Sequence, residues 1–155
     1  MELRNLFPVA GALGAAFFLI GSAAAAPSLP ASLNGFVHYS TSKYGGKISD
    51  KYVQKTSIQA LQSGKNLPYG TAVVGIEYRD QNGKRGPVLR YIIMEKVRNS
   101  GKDYPASVRN GDWEFASYTP ARALITNDPV TRCLACHKSQ AQSDYLFGLN
   151  EMKSF

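Results

Sequence analysis

The sequence predicts a mainly β fold of the α+β class, built as an antiparallel sheet with one or two short helices. Residues 70–80 and 87–98 are dense in β-branched and aromatic side chains, and they flank the dipeptide Asn82-Gly83. Two such runs around Asn-Gly are a strong signal for a β-hairpin, here with a loop longer than two residues. The segment 111–118 alternates in side-chain type as a half-buried strand does. These segments place the strands in the middle of the chain.

A short aromatic segment and a weak strand are predicted before the hairpin. Residues 36–47 form the aromatic segment, which ends at the Gly45-Gly46 turn, and 47–54 has weak strand character. The lead-in, residues 27–35, is rich in Pro, Ser and Gly, so we expect it to be mobile.

A helix is predicted over 56–65. Thr56 is a suitable N-cap, Gln59 stands three residues later as in a capping box, and Gly64 provides a C-terminal stop. We expect the chain after residue 138 to be helical in part.

The first 26 residues have the composition of a secretory signal peptide. Arg4 supplies positive charge, an apolar run of about twelve residues covers 9–20, and small residues before Pro27 offer a cleavage site. The run is shorter than the roughly 20 residues of a transmembrane helix, although an uncleaved anchor is the alternative. We therefore expect a signal peptide at 1–26, a mature domain at 27–155, a periplasmic location and no stable membrane span after cleavage.

The mature domain is basic. The whole chain has 18 Lys and Arg against 11 Asp and Glu, and removal of 1–26 takes away one of each sign, so the net charge stays +7. Such a charge favours acidic partners, anionic surfaces or an anionic cofactor. The sequence has no dense Lys/Arg run, and an exported protein does not meet nucleic acid, so we exclude nucleic acid as a partner.

Both cysteines of the chain lie in the stretch TRCLACHKSQ, residues 131–140, directly before one of its two histidines. Cys133, Cys136 and His137 form the pattern C-x-x-C-H, which in an exported chain is typical of c-type haem attachment. Two thiols at this spacing can add to the two vinyl groups of one porphyrin, and the next histidine can ligate the iron. We therefore expect one haem c, bound through thioethers to Cys133 and Cys136, with His137 as the metal ligand.

Other interpretations of the two cysteines explain less. A thioredoxin-like dithiol would need a βαβ setting and usually an aromatic residue or Gly-Pro between the cysteines, whereas this insert is Leu134-Ala135. A zinc site needs four ligands, and the whole chain has two Cys and two His. A simple disulfide would not need His137.

A few further side chains are candidates for completing a haem site. Arg132 and Lys138 flank the motif and are candidates for pairing with the propionates. Met152, Met94 and His38 are candidates for a sixth iron ligand, although each is more typical of core or surface.

Four stretches of the chain resemble the cytochrome P460 family and its relatives, the cytochromes c′-β. In order, these stretches are IQALQSGKNLPYGTAVVGIEY (58–78), YIIMEK (91–96), GDWEFASY (111–118) and CLACHKSQAQSDYLFG (133–148). The first has the family's short helix, Pro-x-Gly-Thr turn and strand, and the last has the haem motif followed by Asp-Tyr-x-Phe.

The resemblance implies an antiparallel β fold, usually a homodimer, with haem c held against the sheet by a proximal histidine. It carries the thioether positions onto Cys133 and Cys136 and the axial ligand onto His137. It also implies that three residues after the motif pack around the haem edge. They are Asp144, Tyr145 and Phe147.

Members of the family differ on the distal side of the haem. Those that oxidise hydroxylamine have a lysine cross-linked to the porphyrin, whereas the c′-β relatives lack this link and bind NO or CO in a hydrophobic pocket capped by aromatic residues. Gly75 stands where the resemblance would place that lysine, and Lys65 and Lys96 are the nearest alternatives. Phe36 and Tyr39 are the candidate aromatic caps.

The leading hypothesis is an exported monohaem c-type cytochrome with an open distal site for small nitrogen oxides or diatomic gases, chiefly NO and CO. We expect neutral ligands over anions, because burying an unpaired charge in an apolar pocket is expensive. The enzyme alternative is a hydroxylamine or NO oxidoreductase with a lysine–haem cross-link and a distal carboxylate from Glu77 or Glu95. The third hypothesis is a periplasmic electron carrier that works with a redox partner protein.

Overall fold

A computed structural model of the chain describes residues 26–155, so the signal peptide predicted at 1–26 lies, except for Ala26, outside the described residues. The described chain forms one five-stranded antiparallel sheet in which every strand pairs with the next along the sequence. The strands are β1 (Phe36–Tyr44), β2 (Lys47–Gln54), β3 (Ala72–Gln81), β4 (Lys84–Lys96) and β5 (Trp113–Tyr118). The mainly β, antiparallel prediction is confirmed.

Two tight turns set the register of the first four strands. Gly45 and Gly46 join β1 to β2, and Asn82 and Gly83 join β3 to β4, all four with positive φ as a two-residue type I′ turn requires. The prediction of a longer β3–β4 loop is wrong, because Gln81 already pairs with Lys84 across the turn. Irregular pairing around Tyr78 disturbs the ladder without opening the hairpin.

Three short helices complete the fold: α1 (Lys55–Gln62), α2 (Val130–Lys138) and α3 (Leu149–Ser154). Single turns of 3₁₀-helix lie at Ser100–Asp103 and Ala141–Ser143. The predicted helical character after residue 138 is therefore confirmed.

The ends of α1 differ in how well the sequence predicts them. Thr56 is not the N-cap, because β2 runs directly into the helix and Gln54 occupies that position. The Gln54 side chain instead accepts a bond from the Ala72 backbone N–H at 2.6 Å and donates one to the Gly70 carbonyl at 3.3 Å. At the other end Gly64 is the stop, with φ of +75° and an N–H bond to the Leu61 carbonyl, part of a Schellman motif.

Both faces of the sheet are covered. The first cluster includes Trp113, Phe115, Leu134 and Met152 and lies on the face where the helices pack. The second cluster lies on the opposite face and consists of Ala72, Val74, Ile76, Ile93, Ala116 and Tyr118.

The lead-in covers part of the second face. Leu29 and Leu33 pack against the second cluster, and the Tyr118 hydroxyl donates a hydrogen bond to the Pro27 carbonyl at 2.7 Å. The prediction of a mobile lead-in is wrong, because the two leucines bury apolar surface that the Pro- and Ser-rich composition hides. The half-buried prediction for β5 is also wrong: all six of its residues are buried, since each face has its own cluster.

Within residues 26–155, no helix has the length and apolar character needed to cross a membrane.

Candidate functional site

Helix α2 carries all three residues of the C-x-x-C-H motif. Cys136 and His137 follow Cys133 by three and four positions, so the three side chains share one face of the helix. Leu134, which is fully buried, and the Asn110 side chain, which donates a hydrogen bond of 2.9 Å to the Leu134 carbonyl, fix α2 against the rest of the domain.

The start of α2 is fixed to the sheet by charge. Pro129 is the N-cap in extended backbone, and Asp128 precedes it. The Asp128 carboxylate accepts hydrogen bonds from Arg90 on β4 at 3.1 Å and from Arg132 on α2 at 2.6 Å. These contacts tie the helix that bears the motif to the central part of the sheet.

Both cysteine side chains are free thiols. Cys133 is half-buried and Cys136 is exposed. Burial raises the pKa of the Cys133 thiol, and the Asp128 carboxylate raises it further, so this thiol is mostly protonated near neutral pH. Neither sulfur is used in a disulfide, so both are available for other bonds.

His137 presents one ring nitrogen for coordination. Its Nδ1 lies 2.7 Å from the Tyr145 carbonyl oxygen, and because a carbonyl can only accept, Nδ1 carries the proton and donates it. The lone pair is then on Nε2, on the far side of the ring. The rings of Phe115 and Phe147 each lie 5.0 Å from the imidazole, and burial lowers the pKa of His137, which favours the neutral form.

A tight turn positions the Tyr145 carbonyl, which orients the His137 ring. Asp144 and Tyr145 both have positive φ, of 51° and 61°, a backbone conformation that side-chain-bearing residues rarely adopt. The Asp144 carboxylate stabilises this turn by accepting bonds from Lys96 at 2.7 Å and from the Trp113 indole N–H at 3.4 Å.

A cleft separates His137 from the sheet. Its sheet wall comes from residues two apart on three neighbouring strands, which therefore point to the same face. The sheet wall consists of Ser49, Lys51, Val73, Gly75, Ile92 and Met94. The facing wall consists of His137 on α2 and of Leu146 and Phe147 in the loop before α3, and Tyr39 and Phe115 complete the lining. The cleft has a volume of about 90 Å³.

A comparison with known protein families finds one that matches most of the described chain. The family model described as Cytochrome P460 matches residues 34–148. The chain belongs to the cytochrome P460 family. None of the curated proteins compared with the chain matches it. Membership identifies a haem protein of the c type, as the sequence predicts.

In this member of the cytochrome P460 family, the lysine at the cleft is Lys51, which the sequence analysis did not single out. Lys51 lies on β2 directly opposite Gly75 on β3. Its ammonium donates a hydrogen bond of 2.8 Å to the Ser42 hydroxyl. Burial lowers the pKa of Lys51, and the more distant carboxylates of Glu151 and Asp50 only partly offset this effect.

The two lysines named from the sequence lie elsewhere. Lys96 is bonded to Asp144 and stands over the Trp113 ring, and Lys65 lines a separate surface pocket beside α1. Neither lines the cleft, so both are wrong as distal lysines.

Of the two candidate aromatic caps, one lines the cleft and the other does not. Tyr39 lines the cleft, because it lies two residues after Val37, which faces the same first cluster. Phe36 packs against the second cluster on the opposite face, so its expected place at the cleft is wrong.

Only one of the three candidate sixth ligands lines the cleft. Met94 does so from β4, whereas Met152 is fully buried in the first cluster. His38 is exposed, with its Nε2 at 2.9 Å from the Thr41 hydroxyl. The structure therefore separates Met152 and His38 from the cleft.

The two candidate carboxylates also lie outside the cleft lining. Glu77 is fully buried on β3, two residues after Gly75, and it accepts hydrogen bonds from Tyr44, Lys47 and Arg90. Burial alone would raise the pKa of Glu77, but the bonds from Arg90 and Tyr44 outweigh it and lower the pKa. A carboxylate with so many donors is a poor proton acceptor. Glu95 does not line the cleft.

The two cations that flank the motif have protein partners. Arg132 pairs with Asp128, and the Lys138 ammonium donates to the carbonyls of Ala106 at 3.1 Å and Arg109 at 2.8 Å. Pairing with propionates would require each cation to exchange or share these partners.

Proposed function

We propose that the chain is an exported monohaem c-type cytochrome that binds small nitrogen oxides or diatomic gases at an open iron site. The observation that carries the proposal is the state of His137, whose Nδ1 donates to the Tyr145 carbonyl and whose Nε2 is free beside the cleft. Histidines that ligate metals nearly always donate their other ring N–H to a carbonyl or carboxylate in this way.

The residues around His137 fit a covalently attached haem. Cys133 and Cys136 are free thiols on the helix face that His137 shares, and so can form the two thioethers. The cleft beside His137 is lined mainly by apolar side chains, among them Val73, Phe115 and Leu146, which suits the faces of a porphyrin. When bound, the haem supplies an iron that coordinates small ligands.

The protein residues then have distinct tasks. The Tyr145 carbonyl holds the His137 tautomer, and the rings of Phe115 and Phe147 restrict the tilt of the imidazole. Within the described residues, Met94 is the one candidate sixth ligand at the cleft, and a thioether is a weak ligand.

An absorption spectrum tests this proposal. Protein matured in a host with a c-type attachment system should contain one haem per chain. The reduced form should be five-coordinate and high-spin, and it should respond to both NO and CO. A six-coordinate, low-spin spectrum without a response to NO would contradict the open site. A colourless product with two free sulfhydryls would contradict haem attachment itself.

A second candidate function is hydroxylamine or NO oxidation with a lysine–haem cross-link. The observation that favours it is Lys51, whose position opposite Gly75 places an amine at the cleft from the neighbouring strand. Peptide mass spectrometry of the holoprotein decides between the two candidates. A haem adduct on the Lys51 peptide supports the cross-linked enzyme, and an unmodified Lys51 supports the gas-binding cytochrome.

We further propose that the mature protein begins near residue 27, is periplasmic and forms a homodimer. The signal-like composition of 1–26 supports export, and the family resemblance supports the dimer. The mass of the purified periplasmic protein checks the cleavage position. Light scattering coupled to size-exclusion chromatography checks the dimer, and a monomer at micromolar concentration would contradict it.

A further inference from the structure

Lys51 is the one cationic lysine or arginine side chain among the described residues that line the cleft. It is half-buried, and its ammonium has a neutral partner, the Ser42 hydroxyl at 2.8 Å. A cation withdrawn from water in this way loses hydration that one neutral hydrogen bond does not replace. An anion that approaches Lys51 would therefore replace part of the stabilisation that the ammonium loses on leaving water.

The carboxylates nearest to Lys51 do not supply that negative charge. Among the described side chains, no carboxylate oxygen lies within 4 Å of the Lys51 ammonium, and the groups that influence it at longer range are Glu151, Asp50 and Glu77. Asp50 is already paired with Arg85, and Glu77 with Arg90 and Lys47. The charge of Lys51 thus remains uncompensated on the side of the cleft.

The sheet wall leaves space beside Lys51. Its cross-strand neighbour is Gly75, which has no side chain to screen the cleft from Lys51. A Cβ added at Gly75 would come only to 3.8 Å of Ile92 and 3.9 Å of the Ser49 hydroxyl. Ser49 lines the same wall and is buried, so a second polar group stands near the opening left by the glycine.

From this arrangement we infer that Lys51 makes the cleft a binding site for small monovalent anions of the nitrite and azide class. His137 and Lys51 line the cleft from opposite walls, so if His137 holds a haem there, Lys51 would be the cation available to pair with an anion in the cleft. The inference rests on the proposed function. It reverses the expectation from sequence that the site prefers neutral ligands, because the cation that an anion needs is already in place.

The test compares ligand affinities of the oxidised and reduced holoprotein in three variants. Lys51→Gln removes the charge at similar length, Lys51→Arg keeps it, and Lys65→Gln is the control that removes one lysine outside the cleft. Azide and nitrite are titrated into the oxidised protein, and CO into the reduced protein, with absorption as the readout.

We expect Lys51→Gln to weaken azide and nitrite binding about tenfold or more, because the anion loses a charged hydrogen-bond partner. CO affinity should change by less than about twofold, since CO carries no net charge to pair with an ammonium. Lys51→Arg should stay near wild type for the anions, and Lys65→Gln should match wild type for all three ligands. The melting temperature and the haem content of each variant check that Lys51→Gln is folded and loaded.

Several outcomes would overturn the inference. Unchanged azide and nitrite affinity in Lys51→Gln, or an equal loss of affinity for CO and the anions, would show that the charge of Lys51 does not select the ligand. A haem adduct on Lys51 would show that this amine has another use. In the first two cases the wild type still binds CO, so the proposed function survives. A haem adduct on Lys51 would instead favour the cross-linked enzyme, and a wild type without haem or without CO binding would refute both proposals.

Discussion

At the scale of single residues, the buried charges beside the cleft stabilise the sheet. Glu77 is fully buried and links three elements, since Tyr44 and Lys47 come from the β1–β2 hairpin and Arg90 from β4. Removing one partner of a buried ion pair is costly because the remaining charges are left uncompensated. The network is therefore a structural feature next to the cleft and not part of the ligand chemistry.

Glu77→Gln should lower the free energy of unfolding by about 3 kcal/mol at pH 7, because Lys47 and Arg90 lose their shared buried carboxylate. The folded state lowers the pKa of Glu77, so its stabilisation is present above the ordinary pKa of a glutamate and is lost as pH falls through the lower folded value. The gap between the variant and wild type should therefore begin to narrow as pH falls below about 4, the ordinary range of a glutamate, and narrow further toward the lower folded pKa. Denaturant unfolding at several pH values measures this, with Glu95→Gln as the control on β4. A gap that stays constant or widens as pH falls from 7 to 3 would contradict the assignment.

The sequence is most informative for residues whose chemistry is local. Cys133, Cys136 and His137 are recognisable from their spacing alone, because one helical turn places them together. Lys51 is not recognisable in this way. Its place at the cleft depends on the β2–β3 register that sets it opposite Gly75, and register is a property of two strands that no single segment encodes.

At the scale of elements, two kinds of contact decide the structure: the turns that set strand register and the ion pairs that position α2. Asn82-Gly83 predicts its hairpin because few other residues accept positive φ. The length of the loop is not predictable from that dipeptide, since it depends on how far the pairing continues beyond Asp80 and Arg85. The anchoring of α2 through Asp128 involves residues 38 positions apart in sequence and has no local signature.

Gly83→Ala should destabilise the hairpin by about 1–2 kcal/mol, because the φ of +86° places the new Cβ in a strained conformation. For a domain of this size the melting temperature should fall by roughly 3–10 °C. Gly75→Ala is the matched control for stability: its φ is ordinary, and a Cβ there meets its neighbours at 3.8 Å or more. Equal melting temperatures for the two variants would refute the role of the turn.

Asp128→Asn should reduce both stability and haem attachment. The substitution keeps the size of the side chain but removes the charge that holds Arg90 and Arg132 at the start of α2. We expect a loss of about 1.5–3 kcal/mol, the range for hydrogen bonds to charged groups, and a lower haem absorbance per chain after maturation. Asp80→Asn serves as control, since Asp80 bonds the Gly83 backbone N–H far from α2. Normal haem content in Asp128→Asn would contradict the positioning role.

At the scale of the whole molecule, the two faces of the sheet have different roles. The first cluster and the cleft occupy the face on which the helices pack, and the second cluster is partly closed by the lead-in. The antiparallel order follows from the hairpin signals in the sequence. Coverage of the second face does not, because Leu29 and Leu33 stand singly among Pro and Ser residues and show no periodicity.

The match to the cytochrome P460 family begins at residue 34, after most of the lead-in, so a variant that starts at residue 34 tests whether the lead-in belongs to the folded domain. Its removal takes away Leu29 and Leu33 and the carbonyl that accepts the Tyr118 hydroxyl, and it uncovers Val74, Ile76 and Tyr91.

We expect this truncated variant to lose about 2–4 kcal/mol of unfolding free energy, since two partly buried leucines each contribute somewhat less than the value for full burial. The full-length mature chain with both leucines changed to alanine should lose a similar amount, which separates lost packing from lost chain length. Thermal unfolding followed by circular dichroism measures both losses.

The spectrum of the attached haem should stay unchanged, because the cleft lies on the other face of the sheet. A truncated variant with the melting temperature of the wild type would show that the lead-in does not stabilise the domain. A changed haem spectrum would show that the two faces of the sheet are coupled.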